Sequence, residues 1–195
     1  MNAAITPTSF GKPSSISIAA QGGITSSVSA SFGYNGSGLL SQMSIPGTSQ
    51  SASVNTTVMS YSSDGQPLTV NNYVNASAYL TTTYSYDAAG RKIGEQDYRG
   101  TWTCYYYDSN DNLTDIAAGI TSACPSSPPP ASESIRHNHI EYDAENRVTA
   151  RSEGYGSAVQ RTMSYTYEGN SGVLAYIYDH NNSRRKEFGM TMIWQ

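Results

Sequence analysis

Length, composition and charge place this chain among single domains or pieces of larger proteins. It has 195 residues, of which 13% are charged and 37% hydrophobic, and its formal net charge is −4. Average soluble domains carry about 25% charged residues, so charge is scarce here and a broad basic surface for nucleic acid is excluded. The first twenty residues lack the basic start and apolar core of a signal peptide, and no stretch approaches the roughly 20 apolar residues of a membrane span.

The N-terminal region, residues 1–31, is rich in Ser, Gly and Thr. Within it Ile16 and Ile18, and then Val28 and Ala30, alternate with small polar residues. Strict alternation is typical of half-buried strands. We therefore predict that this region adds strands to the array that follows it.

A repeat runs through residues 32–183. Its reference column is always tyrosine, and the residue two positions earlier is always large and apolar or aromatic. Both columns face the same way on a strand, and the residues between them are mostly small or polar, which predicts a half-buried strand with a wet face. The reference tyrosines are Tyr34, Tyr61, Tyr86, Tyr107, Tyr142, Tyr167 and Tyr178.

A turn signal follows each reference tyrosine. The next residue is acidic or small and polar, as at Asp87, Asp108, Asp143 and Asp179, and three residues later Gly, Asn, Asp or Ser follows, as at Gly90. This spacing predicts a type I turn that ends in a left-handed residue and a bulge. Since no segment shows helical periodicity, the predicted fold class is all-β, built from repeated antiparallel hairpins.

Two segments depart from the repeat. Residues 123–134 (ACPSSPPPASES) lengthen one interval to 35 residues and predict an exposed loop, because proline cannot donate in a strand ladder. Residues 184–195 form a C-terminal tail that begins with three cations, interpreted as a solvated turn. Cys104 and Cys124 could form one disulfide in an oxidising compartment, and two unpaired thiols are the simpler interpretation.

Three segments, YSYDAAGRK (84–92), YYYDSNDNL (105–113) and IEYDAENRV (140–148), resemble the tyrosine-aspartate repeats of the RHS and YD-repeat family. The resemblance implies a continuous spiralling or curved sheet of hairpins that forms part of a shell. In bacterial polymorphic toxins of that family the shell encloses a toxic domain, and related shells serve adhesion. Structural rather than catalytic roles are implied for Tyr86, Asp87, Gly90, Arg91, Tyr142, Asp143 and Arg147.

The function predicted from this resemblance is encapsulation or delivery of a toxin or effector domain, in a bacterial secreted or cell-surface system. The implied partners are that cargo and other YD-repeat segments, with self-association through edge strands. No cofactor and no nucleic acid are expected. The alternative is an extracellular module whose exposed tyrosines bind glycans or a receptor.

A weaker alternative concerns metal. Alternation places His137, His139 and Glu141 on one face of a strand, and two imidazoles and a carboxylate suit zinc or iron. The simpler interpretation is that this face is the wet side of the strand. No nucleophile elbow and no phosphate loop is present, so no enzymatic activity is predicted.

Overall fold

The computed structural model describes residues 3–18, 28–46, 54–75, 77–169, 172–181 and 183–187. All the regular elements within these ranges are β-strands, and each is antiparallel to its hydrogen-bonded neighbours. The predicted all-β class and its antiparallel hairpins are therefore confirmed. Within the same ranges, no helix has the length and apolar character needed to cross a membrane. The chain divides into two compact units, residues 1–85 and 86–195.

The first unit is a meander in which each strand pairs with the next in chain order. The residue that ends its last strand, Tyr86, already belongs to the second unit. Its strands are β1 (Ala3–Pro7), β2 (Pro13–Ile18), β3 (Val28–Tyr34), β4 (Leu40–Pro46), β5 (Val54–Tyr61), β6 (Pro67–Tyr73) and β7 (Tyr79–Tyr86).

The second unit is a meander of the same kind, in which every strand again pairs with the next. A turn at residues 87–91 leads into its first strand. Its strands are β8 (Lys92–Gln96), β9 (Trp102–Tyr107), β10 (Leu113–Ile120), β11 (Arg136–Tyr142), β12 (Val148–Glu153), β13 (Arg161–Tyr167), β14 (Leu174–Tyr178) and β15 (Arg184–Glu187).

Reference tyrosines end strands, and a shift in register precedes several of them. The shift falls between Gly33 and Tyr34, between Ser60 and Tyr61, and between Glu141 and Tyr142. Such a shift is the bulge expected when a type I turn closes through a left-handed residue. The bulge predicted from the turn spacing is therefore confirmed in both units.

The buried core lies on an unexpected face. No described residue of the first unit is buried, whereas the second unit has a core of Cys104, Ala117 and Ile120. Tyr106 packs against this core, and alternation along β9 puts it on the same face as Cys104. This is the face predicted to be wet. The prediction is wrong here because the segment between β10 and β11 lays Cys124 and Ile135 on that face.

Candidate functional site

Five of the seven reference tyrosines join a hairpin to the one before it. In both units their hydroxyls donate to the carbonyl oxygen of the residue that opens the preceding returning strand. All of these rings are half-buried. The bonds are Tyr34 to Pro13 (3.0 Å), Tyr61 to Leu40 (2.6 Å), Tyr107 to Lys92 (2.8 Å), Tyr142 to Leu113 (2.9 Å) and Tyr167 to Val148 (2.7 Å).

Removal of one such hydroxyl should be measurable. We expect Tyr142→Phe to lower the unfolding free energy by about 1 kcal/mol, since one hydrogen bond is lost, and Tyr142→Ala by about 3 kcal/mol, since a half-buried ring is lost as well. Urea denaturation followed by circular dichroism measures both. Tyr79→Phe is the control, because that ring is 51% exposed, and it should change stability by less than about 0.5 kcal/mol. An equal loss for Tyr79→Phe and Tyr142→Phe would contradict a joining role for the hydroxyl.

The acidic residue that follows Tyr86, Tyr107 and Tyr142 closes the turn at each of these places. One oxygen of Asp87, Oδ1, accepts the N–H groups of Ala89 (3.0 Å) and Arg91 (2.9 Å). The N–H of Gly90 donates to the carbonyl of Asp87, and the N–H of Asp87 donates to the carbonyl of Arg91, both at 3.0 Å. Asp108 and Asp143 accept the equivalent pairs of N–H groups. The carboxylate thus accepts hydrogen bonds from turn N–H groups that would otherwise bond to water.

The fourth turn residue has a left-handed backbone. Gly90 has φ of 84°, and the equivalent Asp111 and Asn146 have φ of 65° and 61°. The type of residue expected at this place, Gly, Asn or Asp, is the type that tolerates positive φ.

The stability lost on substitution of Gly90 should therefore depend on how well the new residue tolerates positive φ. We expect Gly90→Val to lower the unfolding free energy by about 1 to 3 kcal/mol and Gly90→Asn to cost well under about 1 kcal/mol, measured by thermal and urea denaturation. Asn146→Gly keeps the backbone geometry but removes the side-chain oxygen that accepts the amide of Asn112 at 2.7 Å. Equal losses for the valine and asparagine variants at Gly90 would contradict the turn geometry.

The fifth turn residue reaches forward to the next hairpin. Arg91 bonds its own turn through Nε to Asp87 (2.7 Å) and the next turn through Nη1 to Asp111 (2.6 Å). Its guanidinium also lies over the ring of Tyr107, 4.7 Å from the centroid, in a cation–π contact. We call the set of turns that follow Tyr86, Tyr107, Tyr142 and Tyr167 in the second unit the turn row.

The same forward contact recurs along the turn row. Arg147 binds Asp143 through Nε (2.6 Å), donates to the carbonyl of Gly169 (3.1 Å) and lies 4.7 Å from the centroid of Tyr167. In the first unit, Lys12 makes the equivalent contact with the next turn: it donates to the carbonyl of Gly38 and lies 5.4 Å from the ring centroid of Tyr34. Each of these three turns therefore supplies one side chain to the turn after it.

Electrostatics in the turn row favour ionised carboxylates. The Arg91 side chain holds the pKa of Asp87 below its ordinary value of 3.8, and the amide of Asn112 does the same for the pKa of Asp108. Burial raises the pKa of Asp143, but the N–H and guanidinium of Arg147 outweigh it and the pKa is lowered. Hydrogen bonds to the charged form stabilise that form.

A pH dependence follows from these shifts. A carboxyl group whose folded pKa is depressed contributes stability above its unfolded pKa and loses it as the pH falls through the folded pKa, so the unfolding free energy should drop below about pH 4. Asp87→Asn should flatten that drop, measured by urea denaturation at a series of pH values. Asn35 shows that asparagine keeps the turn, since its Oδ1 accepts the N–H groups of Ser37 and Leu39. An unchanged pH profile in the variant would contradict the role of Asp87.

Tyr178 and Asp179 differ from the other reference pairs. Tyr178 ends β14, a returning strand, and Asp179 follows it, so their turn lies at the opposite end of the strands from the turn row. Asp179 still accepts the N–H groups of Asn181 (3.1 Å) and Ser183 (2.9 Å). Only 11 residues separate Tyr178 from Tyr167, which is enough for one turn and one strand rather than for a complete hairpin. Tyr178 therefore lies at the other end of the strands.

Sequence reasoning missed two turns of the same type. Asp97 accepts the N–H groups of Arg99 (3.0 Å) and Thr101 (2.8 Å), and Gly100 has φ of 83°. In the first unit the turn at residues 8–12 has Gly11 at φ of 72° and the hydroxyl of Thr8 as the acceptor. Neither turn follows a tyrosine. A search for an Asp, Asn, Ser or Thr with glycine three positions later finds both.

The three residues proposed as metal ligands do not form a metal site. His137 is 2% exposed, so the wet-face interpretation is wrong at this residue, whereas Glu141 on the same face is exposed as expected. Its Nε2 lies 2.8 Å from Oδ1 of Asp115, and Nδ1 of His139 lies 2.6 Å from the same oxygen. Glu141 stands apart, 4.0 Å from Nε2 of His139. Among the residues described, no group of three or more His, Cys, Asp or Glu side chains is arranged to hold a metal.

We call Asp115, His137, His139 and Tyr155 the histidine cluster. The ring of Tyr155 stacks on His139, with centroids 4.2 Å apart, and meets His137 edge-on at 5.2 Å. Burial raises the pKa of Asp115, but its bonds to the two imidazoles outweigh burial and the pKa is lowered. Burial, and then the charge of Asp115, raises the pKa of Tyr106. Asp115 of β10 pairs with Tyr106 of β9 and with His139 of β11, so the three residues lie side by side on adjacent strands.

The cysteines are paired. Cys104 and Cys124 form a disulfide with their Cα atoms 5.6 Å apart, so the simpler interpretation of two free thiols is wrong. Sequence could not supply this distance, because it depends on how residues 121–135 return over the sheet.

Comparisons with known proteins support the fold. No protein-family model and no curated protein sequence matches the chain. Solved structures do match: the "TcdB2-TccC3-Cdc42" crystal structure, with a TM-score of 0.65 and 17% identity over 93% of this chain, and the Photorhabdus luminescens "Tc holotoxin pore" structure, with 0.67 and 18% over 91%. This chain spans only 9% of each matched chain. The chain therefore has the fold of a segment of these solved structures, an array of antiparallel hairpins.

Proposed function

We propose that this chain is a structural YD-repeat segment that forms part of a shell or scaffold around a toxin or effector domain of an exported bacterial system. The observation that carries the proposal is the use of the repeated polar residues. Each reference tyrosine with a hydroxyl bond described above reaches back to the preceding hairpin, and Arg91 and Arg147 reach forward to the next. These groups hold hairpins together and are not directed at a substrate.

Partners of the proposed shell follow from the strand edges. Among the described residues of the first unit, β1 has one hydrogen-bonded neighbour, β2. An edge strand offers unpaired N–H and C=O groups to further strands. We infer that other YD-repeat hairpins pair with this chain and that a cargo domain lies against the assembled sheet.

The test uses the chain together with the coding sequence that flanks it in its reading frame. We expect an encoded toxin or effector domain to co-purify with the chain and to resist protease until the shell is denatured. The purified chain alone should show no hydrolase, nuclease or transferase activity, since its charged turn residues are engaged in hairpin joints. A monomeric chain that binds no further repeat and no cargo but binds a glycan array would overturn this proposal in favour of a surface-binding module.

A further inference from the structure

The segment between β10 and β11, residues 121–135, is fixed at two places, and we call it the cover. Near its start, Cys124 is bonded to Cys104 of β9. Cys124 and Ile135 pack against the core formed by Cys104, Ala117 and Ile120. The core face of the second unit is thus closed by a segment that no strand ladder holds.

The second attachment links the cover to the histidine cluster. The N–H of Ala131 donates to the carbonyl of Tyr155, and the N–H of Tyr155 donates to the carbonyl of His137, both at 3.0 Å. Pro130 lies beside Gly156, where an added Cβ would come within 3.3 Å of the proline Cβ. Tyr155 therefore stands between the cover and the two imidazoles.

Noncovalent contacts of the cover are sparse. None of its fifteen residues is buried, and only Cys124, Pro128, Pro129, Ala131 and Ile135 are even half-buried. Segments with few buried apolar contacts open at little free-energy cost. The disulfide is the strongest restraint on the cover, since opening a cross-linked loop gains less chain entropy than opening a free one.

We propose that the Cys104–Cys124 disulfide is a redox-dependent latch: oxidised, it holds the cover and Tyr155 over the imidazoles of His137 and His139, and reduced, it releases them and admits solvent to His137. Disulfides persist in oxidising compartments and are lost in reducing ones. The latch stays closed outside cells and opens on transfer to a reducing environment. Asp115 and His137, which are buried under the closed cover, then become exposed.

Burial decides the course of the reduction. Cys104 is 0% exposed and Cys124 is half-buried, so a thiolate of a dithiol reductant attacks Sγ of Cys124. The Cys104 sulfur leaves as a thiolate and takes up a proton, and a mixed disulfide remains on Cys124. The second thiol of the reductant then attacks the reductant sulfur of this mixed disulfide and releases Cys124 as a thiol. Two electrons pass to the protein, and the reductant ends as a cyclic disulfide.

The chain offers a direct readout in its three histidines, His137, His139 and His180. His137 is buried and His180 is exposed, so His180 is an internal control. Diethylpyrocarbonate labels accessible imidazoles, and mass spectrometry of peptides reports each site. The full chain is labelled oxidised, and again after reduction with dithiothreitol, alkylation of the thiols and removal of the reagents. Cys124→Ser, which opens the latch without alkylation, is labelled in parallel.

We expect reduction to raise the labelling rate of His137 by about tenfold or more and to leave that of His180 within about twofold. Cys124→Ser should match the reduced protein. Persistent protection of His137 after complete reduction would overturn the proposal, because the cover would then be held by packing alone. Loss of the strand signal in circular dichroism on reduction would overturn it too, because the disulfide would then hold the whole unit and not the cover.

Discussion

Replacing Asp115 with alanine is expected to lower the unfolding free energy by about 3 kcal/mol, because two imidazole groups lose their shared acceptor in a buried site. Asp115 is 6% exposed and His137 2% exposed, so water cannot replace the carboxylate without opening the cover. Asp115→Asn keeps one side-chain oxygen and should cost less. Urea denaturation followed by tyrosine fluorescence and circular dichroism measures both variants.

The matched control is Asp64→Ala, which removes an exposed turn carboxylate. It should change the unfolding free energy by less than about 0.5 kcal/mol. If Asp115→Ala were as mild as Asp64→Ala, the histidine cluster would be a surface feature, and the burial described for it would be wrong.

Gly119→Ala is expected to be the most damaging glycine substitution, with a loss of about 3 kcal/mol or more. Gly119 has φ of 96°, and an added Cβ would fall on the carbonyl oxygen of Ser134, which is backbone and cannot rotate away. The strain acts where β10 leads into the cover, so the variant should also loosen the cover. Thermal denaturation gives the stability loss, and labelling of His137 reports the cover.

Gly36→Ala serves as the comparison, since Gly36 has no positive φ and an added Cβ there meets no atom within 4 Å. That variant should be neutral or stabilising by up to about 1 kcal/mol, because alanine reduces the freedom of the unfolded chain. Similar melting temperatures for the Gly119 and Gly36 variants would show that the approach of Ser134 is not a constraint.

The hairpins could be predicted from sequence because their signals are local. The tyrosine, the acidic residue one position later and the left-handed residue at the fourth turn position fall within six residues, and repetition separates them from chance matches. The turns at Asp97 and at residues 8–12 were not predicted, because no tyrosine precedes them and the repeat pattern is built on that tyrosine. Tyr178 matches the pattern but ends a returning strand. Whether a strand runs outward or returns depends on the number of turns before it, which the local pattern does not give.

The buried face could not be predicted, because its burial is imposed from far along the chain. Alternation distinguishes the two faces of a strand but does not say which one another segment will cover. Cys104 on β9 is covered through Cys124, twenty residues later, and His137 through Tyr155. The shared oxygen of Asp115 likewise joins β10 to β11, at sequence separations of 22 and 24 residues. Local patterns carry no information on such pairings.

The forward contacts of the turn row also encode an order. Arg91 meets an aspartate in the next turn, Asn112 meets an asparagine, and Arg147 meets a glycine carbonyl. Each joint is a different pair and points the same way along the chain. Exchanging the hairpins of turns 87–91 and 108–112 would put Arg91 opposite Asn146 and Asn112 opposite Gly90, so the charge-assisted bond between Arg91 and Asp111 would be lost. Hairpins that share one backbone geometry are therefore not equivalent, and a duplicated hairpin would keep its forward contact only where the fifth turn residue suits its new neighbour.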